Sequence, residues 1–311
     1  MSSIVKVIHQ CEERFGLRVG GPLTHNSSAH IFLVTRGNED LVLKIAMTER
    51  DMSREILALT AFAGRGAIDV KDSAEELSAL LLQRAKPGYP LSTITDDIHA
   101  TEIFCSVFQR LHSIPVTGTH ESIQSHCSAL THYQEKKVAR GPLPISWVTR
   151  ATDYLDILVA STDHPVLLHG DLHHANILRH QDEWIVIDPK GIIGDPHFDV
   201  IQYLLNYPNR GGDPQRVLTR RMAIMTERLA LDALRIAMWG GGQGDVGRLL
   251  GARRRDFLAP RTRDRREIRA GARPVRSFVA MKIRHLHHGF WTSSIVEDGV
   301  KACSCQPWAN E

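Results

Sequence analysis

The sequence predicts an α+β chain in two lobes, a small antiparallel sheet followed by a mostly helical lobe. Three observations predict it. Short runs of apolar residues with β character cluster within the first 85 residues. Lys86-Pro-Gly-Tyr-Pro90 then breaks both strand and helix patterns. Beyond it, apolar residues recur at three- and four-residue spacing, interrupted once near 169–195.

The elements follow in order. Ile4, Val5, Ile8, Cys11 and Phe15 have helical spacing, with Gly16 as a cap. Two β-like runs, 30–35 and 41–45, are joined by Gly37-Asn38-Glu39-Asp40 as a hairpin. A helix over 49–63 carries Met52, Ile56, Leu59 and Ala63 on one face, and Gly64 follows it. Ala67–Lys71 and Leu77–Arg84 add two strands, giving a small antiparallel sheet with one helix inserted. Helices are expected near 96–113, 119–138 and 145–161, then a short apolar run at Val166–Leu168. A hairpin follows from Ile177–Arg179 and Trp184–Ile187, and helix resumes at 198–206 and 215–239. The expected division is 1–85 for the first lobe, 86–91 as linker, 92–239 for the helical lobe and 240–311 as a separate segment.

Composition narrows the class. A hydrophobic content of 42% supports an ordinary packed core. No stretch approaches the roughly 20 apolar residues a membrane span needs. The opening Met1-Ser-Ser-Ile-Val-Lys has no secretory pattern. The cysteines, Cys11, Cys105, Cys127, Cys303 and Cys305, are scattered and odd in number, which points to a reducing, cytoplasmic setting. Cys303 and Cys305 lack the second pair that zinc would require.

Charge is uneven. Residues 1–240 hold 24 Lys and Arg against 28 Asp and Glu, whereas 241–311 hold 14 against 7. Gly240-Gly-Gly-Gln-Gly244 opens an arginine-rich stretch that includes Arg253-Arg-Arg255 and loses apolar periodicity. It reads as a disordered segment or the product of a shifted reading frame. A nucleic-acid or acidic-partner tail is the functional alternative, but no interleaved aromatics and no recognised nucleic-acid motif support it, so nucleic acid is not an expected partner, and neither is a membrane. No oligomeric state follows from the sequence.

The chemistry concentrates in Leu167-Leu-His-Gly-Asp-Leu-His-His-Ala-Asn-Ile-Leu178 and Val186-Ile-Asp-Pro-Lys-Gly191. Phosphoryl transfer asks a protein to orient a hydroxyl, accept its proton and neutralise charge on nucleotide oxygens. Asp171 is the expected base, and Asn176 and Asp188 are the expected ligands of Mg²⁺, a hard cation that takes oxygen donors. His169 is expected to brace the loop through backbone hydrogen bonds. His173 and His174 are either substrate contacts or plain polar loop residues. Lys44, flanked by Leu43 and Ile45, is costly in a strand unless paired or exposed at an edge, and Glu55 is the candidate partner for holding nucleotide phosphates. A phosphate-covering loop is expected over 20–29, where Ser27 and Ser28 would contact phosphates of ATP (or GTP); it is no GxGxxG, and no Walker motif occurs. The base site is expected near Leu82–Ala85.

With these residues in view, the chain resembles the aminoglycoside phosphotransferase superfamily, and most closely the aminoglycoside 6-phosphotransferase and hydroxyurea phosphotransferase family. His169-Gly-Asp-Leu-His-His-Ala-Asn176 carries the likeness together with Trp184-Ile-Val-Ile-Asp-Pro-Lys-Gly-Ile-Ile-Gly-Asp-Pro-His-Phe-Asp-Val200. The resemblance implies a bilobal protein-kinase-like fold over about residues 15–239. It implies an ATP- and Mg-dependent enzyme that phosphorylates a streptomycin-type aminoglycoside and confers antibiotic resistance. By the same resemblance Asp171 matches the catalytic aspartate, Asn176 and Asp188 the magnesium ligands, Lys44 and Glu55 the phosphate lysine and its helix partner. Asp199 matches an acid that caps the following helix and braces the catalytic loop. Such a family continues past a tryptophan like Trp239 with an apolar helical ending, and here the arginine-rich segment stands instead. The streptomycin-like substrate is cationic, and Asp195, Glu227 and Asp232 are candidate acids for its pocket. The alternatives are a kinase for hydroxyurea, homoserine or another small alcohol, and a kinase-like protein whose catalysis the altered ending impairs.

Overall fold

Alternation along the strands decides which way the N-terminal sheet faces. The computed structural model describes residues 3–25, 29–116, 118–128, 145–206 and 212–241. Five strands, β1 (Arg18–His25), β2 (Ala29–Arg36), β3 (Glu39–Ala46), β4 (Val70–Ala74) and β5 (Ala79–Gln83), form a sheet in the order β1-β2-β3-β5-β4. Every neighbouring pair in it is antiparallel. Leu41, Leu43 and Ile45 of β3 join a core with Cys11 and Phe15 of α1 (Ser3–Phe15). Period two turns Lys44 to the other face. Because β3 lies between β2 and β5, with Lys44 opposite Ile31 and Leu80, the lysine is central and not at an edge.

Several expectations shift. β1 was absent from the expected strands because Gly20-Gly21-Pro22 masks the alternation; two register irregularities, at Val19/Gly21 and Pro22/Thr24, absorb them. The strand expected at 67–71 begins at Val70, while Ala67 bridges Val186 in parallel. Val5 is 48% exposed, and Val7 packs inward in its place. In α2 (Glu49–Ala61) the buried residues are Met52, Glu55, Ala58 and Leu59, so Glu55 lies on the packed stripe and Ile56 at its margin. Thr48 caps this helix by accepting from Asp51 N–H at 3.2 Å.

The expected linker is partly ordered as a strand. β6 (Pro87–Pro90) adds to a hairpin of β9 (Ile177–His180) and β10 (Glu183–Val186). It lies at the sheet edge, where proline's missing N–H is tolerated. α3 (Asp97–His112), capped by Asp96, buries Phe104, Phe108 and Leu111 and packs against α7 (Pro214–Leu229). Within the helix expected at 119–138, the chain forms β7 (Glu121–Ser122) and one helical turn, α4 (Ile123–His126); 129–144 lie outside the described residues. β7 runs parallel to β11 (Ile192–Gly194), which pairs antiparallel with β8 (Val166–Leu168). After α5 (Ile145–Ala160) and α6 (Asp199–Leu205), the helix expected at 215–239 divides into α7 and α8 (Ala233–Trp239). Ala230 takes a left-handed φ of +54°, and Asp232 caps α8 from Leu234 N–H and Arg235 N–H. The segment expected to differ, 240–311, lies outside the described residues beyond Gly241.

Candidate active site

The loop after β8 is built by its backbone before any side chain acts. Asp199, at the start of α6 and 1% exposed, accepts from His169 N–H and Gly170 N–H, each at 2.7 Å, and from His112 Nε2 at 3.0 Å. The preceding residue, Phe198, is the helix cap and makes no side-chain cap bond, so Asp199 holds the loop without capping its own helix as the resemblance had implied. Gly170 takes φ +81°, and a Cβ there would lie 2.9 Å from Lys190 Cβ. Lys190 N–H donates to His169 carbonyl at 2.6 Å, joining the two halves of the motif.

His169 then fixes Asp171. Asp171 N–H donates to His169 Nδ1 at 3.2 Å, so that nitrogen carries no proton, and Nε2–H donates to Ile187 carbonyl at 2.9 Å. Burial holds the ring pKa below the usual histidine range, in spite of the nearby Asp199 and Asp171 charges. The Asp171 side chain keeps 30% exposure, with His173 Nε2 3.7 Å from Oδ1. Asn176 Nδ2 donates to Asp171 carbonyl at 2.9 Å, which commits the amide nitrogen and leaves Oδ1 as the face that can meet a cation. Ile187 N–H donates to Asn176 carbonyl at 3.0 Å, setting Asp188 beside this loop.

Asp188 occupies a left-handed conformation, φ +61°, uncommon for a residue with a side chain and a marker of functional sites. Lys44 Nζ lies 2.6 Å from Asp188 Oδ1 and 2.6 Å from Glu55 Oε2. Burial alone would depress the lysine, but the charges of Glu55 and Asp188 outweigh it and hold the ammonium above its ordinary value. Burial favours the neutral form of Asp188 too, yet Lys44 and Lys190 bring it down to about 2. Glu55, enclosed and with Oε1 unpartnered, is pushed up by burial against the pull of Lys44. Two carboxylates thus share one ammonium, and Asp188, the more exposed of the two, stays ionised. Among the described residues no three His, Cys, Asp or Glu side chains form a metal cage. The donor set here is one carboxylate and one amide oxygen, which suits a cation that completes its shell with water and phosphate oxygens.

Acid should loosen this site. An unfolded histidine binds its proton near pH 6.5, whereas His169 does so at lower pH, so the unfolded state takes up more protons as pH falls below about 6.5 and stability drops. Asp188 adds loss in the same direction between pH 3.8 and about 2. Glu55, pushed up by burial, works in the opposite direction, so the His169 contribution is read as a difference: between pH 7.5 and 5.5 the melting temperature of wild type should fall further than that of His169→Gln. An equal fall in both proteins removes His169 as the cause.

Residues 17–243 match the sequence profile of a family described as aminoglycoside/hydroxyurea antibiotic resistance kinases. The chain belongs to that family. It is a phosphotransferase, similar to a streptomycin 6-kinase of Streptomyces griseus at 28% identity, covering 77% of this chain and 80% of that one. A hydroxyurea phosphotransferase of Kitasatospora aureofaciens is 28% identical, covering 74% and 68%. A streptomycin 3''-kinase of Klebsiella pneumoniae is 30% identical, covering 73% and 85%. In fold the kinase resembles an aminoglycoside phosphotransferase from Streptomyces rimosus, with a TM-score of 0.58 at 17% identity over 80% of this chain and 99% of the other. The α+β, bilobal, kinase-like architecture expected from the sequence is therefore observed.

Not every candidate in this kinase gathers at the loop. His174 is fully buried and stacks on Tyr203, with ring centroids 3.9 Å apart, so it braces the loop from beneath and offers no surface to a substrate. Asp195 is 2% exposed, and its carboxylate accepts from Arg235, His197 and Trp239 Nε1, which seat α8; it is a structural acid and not a pocket acid. Asp232 Oδ1 is engaged in capping α8. Glu227 is exposed on α7 and takes no part in the described hydrogen bonds around Asp171. Ser27 and Ser28 lie outside the described residues. Conversely, Lys190, 4.0 Å from Asp188, and His112, against Asp199, belong to the site without having been assigned a role. Lys190 stood inside the recognised phrase, whereas His112 gave no signal among 17 histidines.

Proposed function

We propose that this phosphotransferase moves the γ-phosphoryl group of ATP (or GTP) onto a hydroxyl of a streptomycin-type aminoglycoside. The observation that carries the reading is Lys44 fixed between Glu55 and Asp188, opposite a loop that presents Asp171 and Asn176. Relatives named streptomycin 6-kinase support the acceptor class. Kinase-fold neighbours form ternary complexes of hygromycin B with ADP or AMP-PNP, which supports a nucleotide donor.

Asp171 orients the acceptor hydroxyl and takes its proton as the oxygen forms a bond to the γ-phosphorus. The bond between that phosphorus and the β,γ-bridging oxygen breaks, and the electron pair leaves on the nucleoside diphosphate. Lys44 binds nucleotide phosphate oxygens, and Glu55 keeps its ammonium aimed. Asn176 Oδ1 and Asp188 would hold Mg²⁺, which when bound neutralises charge on the phosphate oxygens. His173, whose Nδ1 accepts from Ala175 N–H and whose Nε2 lies beside Asp171, is the contact we propose on the acceptor side. We place nucleotide binding in residues 1–85 and the acceptor in 92–239, with 240–311 outside both, and assign the reaction to the cytoplasm where ATP is available.

Purified full-length protein with Mg-ATP should produce ADP in the presence of streptomycin. Parallel incubations with hydroxyurea and homoserine cover the other acceptors, the first favoured by the Kitasatospora relative. Turnover with hydroxyurea alone would replace the acceptor and keep the chemistry. Nucleotide binding without transfer to any of them would leave an impaired kinase-like protein and sink the reading.

A further inference from the structure

The helix that carries Glu55 is tied to the opposite lobe by a contact outside the phosphate and metal groups. β7 is a two-residue strand whose parallel pairing sets Glu121 against Ile192 and Ser122 against Ile193. Ile192 follows directly on the Asp188–Gly191 turn, so Glu121 is registered to the turn that bears Asp188. Its side chain, 11% exposed, forms ion pairs with Arg54 and, at 3.3 Å, with Arg50, and accepts from Ser125 Oγ at 2.8 Å. Arg54 and Arg50 both lie on α2, and Arg54 immediately precedes Glu55. On the same helix, Gly191 approaches so closely that a Cβ there would lie 2.6 Å from Ala58 Cβ and 3.4 Å from Arg54 carbonyl. Gly194 packs likewise, its missing Cβ 2.8 Å from Ile123 Cβ, which fixes the turn after β7. α2, the Asp188 turn and β7 therefore meet at one junction.

We propose that Arg54 and Glu121 are a positioning pair, holding α2 on the Asp188–Gly191 turn and thereby setting the Lys44–Glu55 contact that receives nucleotide phosphates. The inference rests on the phosphotransferase reading of Lys44. Separation of α2 from the turn carries Glu55 away from Asp188, and the ammonium that bridges them then has to choose one partner. The ion pair and the Gly191 contact lie one helical turn apart on the same face of α2, and both oppose that separation. Neither arginine nor Glu121 touches the reacting atoms, so the acceptor side is unaffected.

The test uses the full chain and a non-hydrolysable ATP analogue with Mg²⁺, in wild type, Glu121→Ala, Arg54→Glu and the swapped double variant Arg54→Glu/Glu121→Arg. Glu121→Ala removes the pairing of both arginines at once. Each single variant should bind the analogue about 3- to 10-fold more weakly, the span of a partly buried ion pair. The acceptor KM should stay unchanged and the melting temperature within about 3 °C. The double variant should bind the analogue more tightly than either parent but short of wild type, because Arg50 then faces a like charge at position 121. Single variants that bind like wild type overturn the proposal. So does a swap no better than its parents, or a parallel loss of nucleotide affinity, acceptor KM and melting temperature, which marks a general structural role. A wild type that fails to bind the analogue brings down the phosphotransferase reading and this inference together; binding by wild type with indifferent variants brings down the inference alone.

Discussion

Asp171→Ala should lower phosphoryl transfer by about 10²- to 10⁴-fold in kcat, the range a positioned general base contributes. Nucleotide affinity should change little, because the groups that meet phosphate and cation do not depend on this carboxylate. Asn176 donates to the backbone carbonyl of residue 171, a bond that survives loss of the side chain. The backbone N–H of the same residue still donates to His169 Nδ1. Asp171→Asn keeps the shape and removes the proton acceptor, so it should lose kcat nearly as far. Steady-state kinetics with streptomycin, together with a titration of nucleotide binding, separates the effects. A kcat within about threefold of wild type would place the base elsewhere. Equal losses in kcat and nucleotide affinity would mean that the loop had collapsed.

How much of this was legible in the sequence depended on how local each signal is. The nearness of residues 171, 176 and 188 was readable because their spacing is carried by one loop and one hairpin, both short. Lys44 was readable because a charge between Leu43 and Ile45 needs a reason, and the following helix supplied a carboxylate at a reachable distance. β1 was hidden by its own glycines and proline, which a strand pattern treats as a stop. β7 and β11, two and three residues long, fall below any periodicity. The expectation for the acid at position 195 failed for a different cause. Asp195 looks like any loop carboxylate until Arg235 and Trp239, about 40 residues later, return to occupy it. His174 looks like a polar loop residue until Tyr203 folds beneath it. A residue's type states what it can bind, and tertiary contacts decide whether those positions are already taken.

Asp199→Ala should cost more stability than any other single carboxylate replacement near the site. The carboxylate takes two backbone N–H groups at 2.7 Å and one imidazole N–H at 3.0 Å, all inside the protein. Alanine leaves the N–H groups of His169 and Gly170 buried without acceptors, and each such orphan costs about 1–3 kcal/mol. A total of about 3 kcal/mol or more corresponds to a fall of roughly 6–12 °C in melting temperature for a domain of this size. Asp199→Asn retains one acceptor oxygen and turns an NH₂ toward the other donors, so it should lie between alanine and wild type. His112→Ala removes one donor and leaves both backbone groups satisfied, and should cost about 1 kcal/mol. Denaturant midpoints would rank the three, with kcat measured at a temperature where all remain folded. The ordering matters more than the sizes. If His112→Ala matched Asp199→Ala, the imidazole pair would be the important contact. If alanine at 199 proved harmless, the loop that presents Asp171 would have to be held from its far end, through Asn176 and the His174–Tyr203 stack.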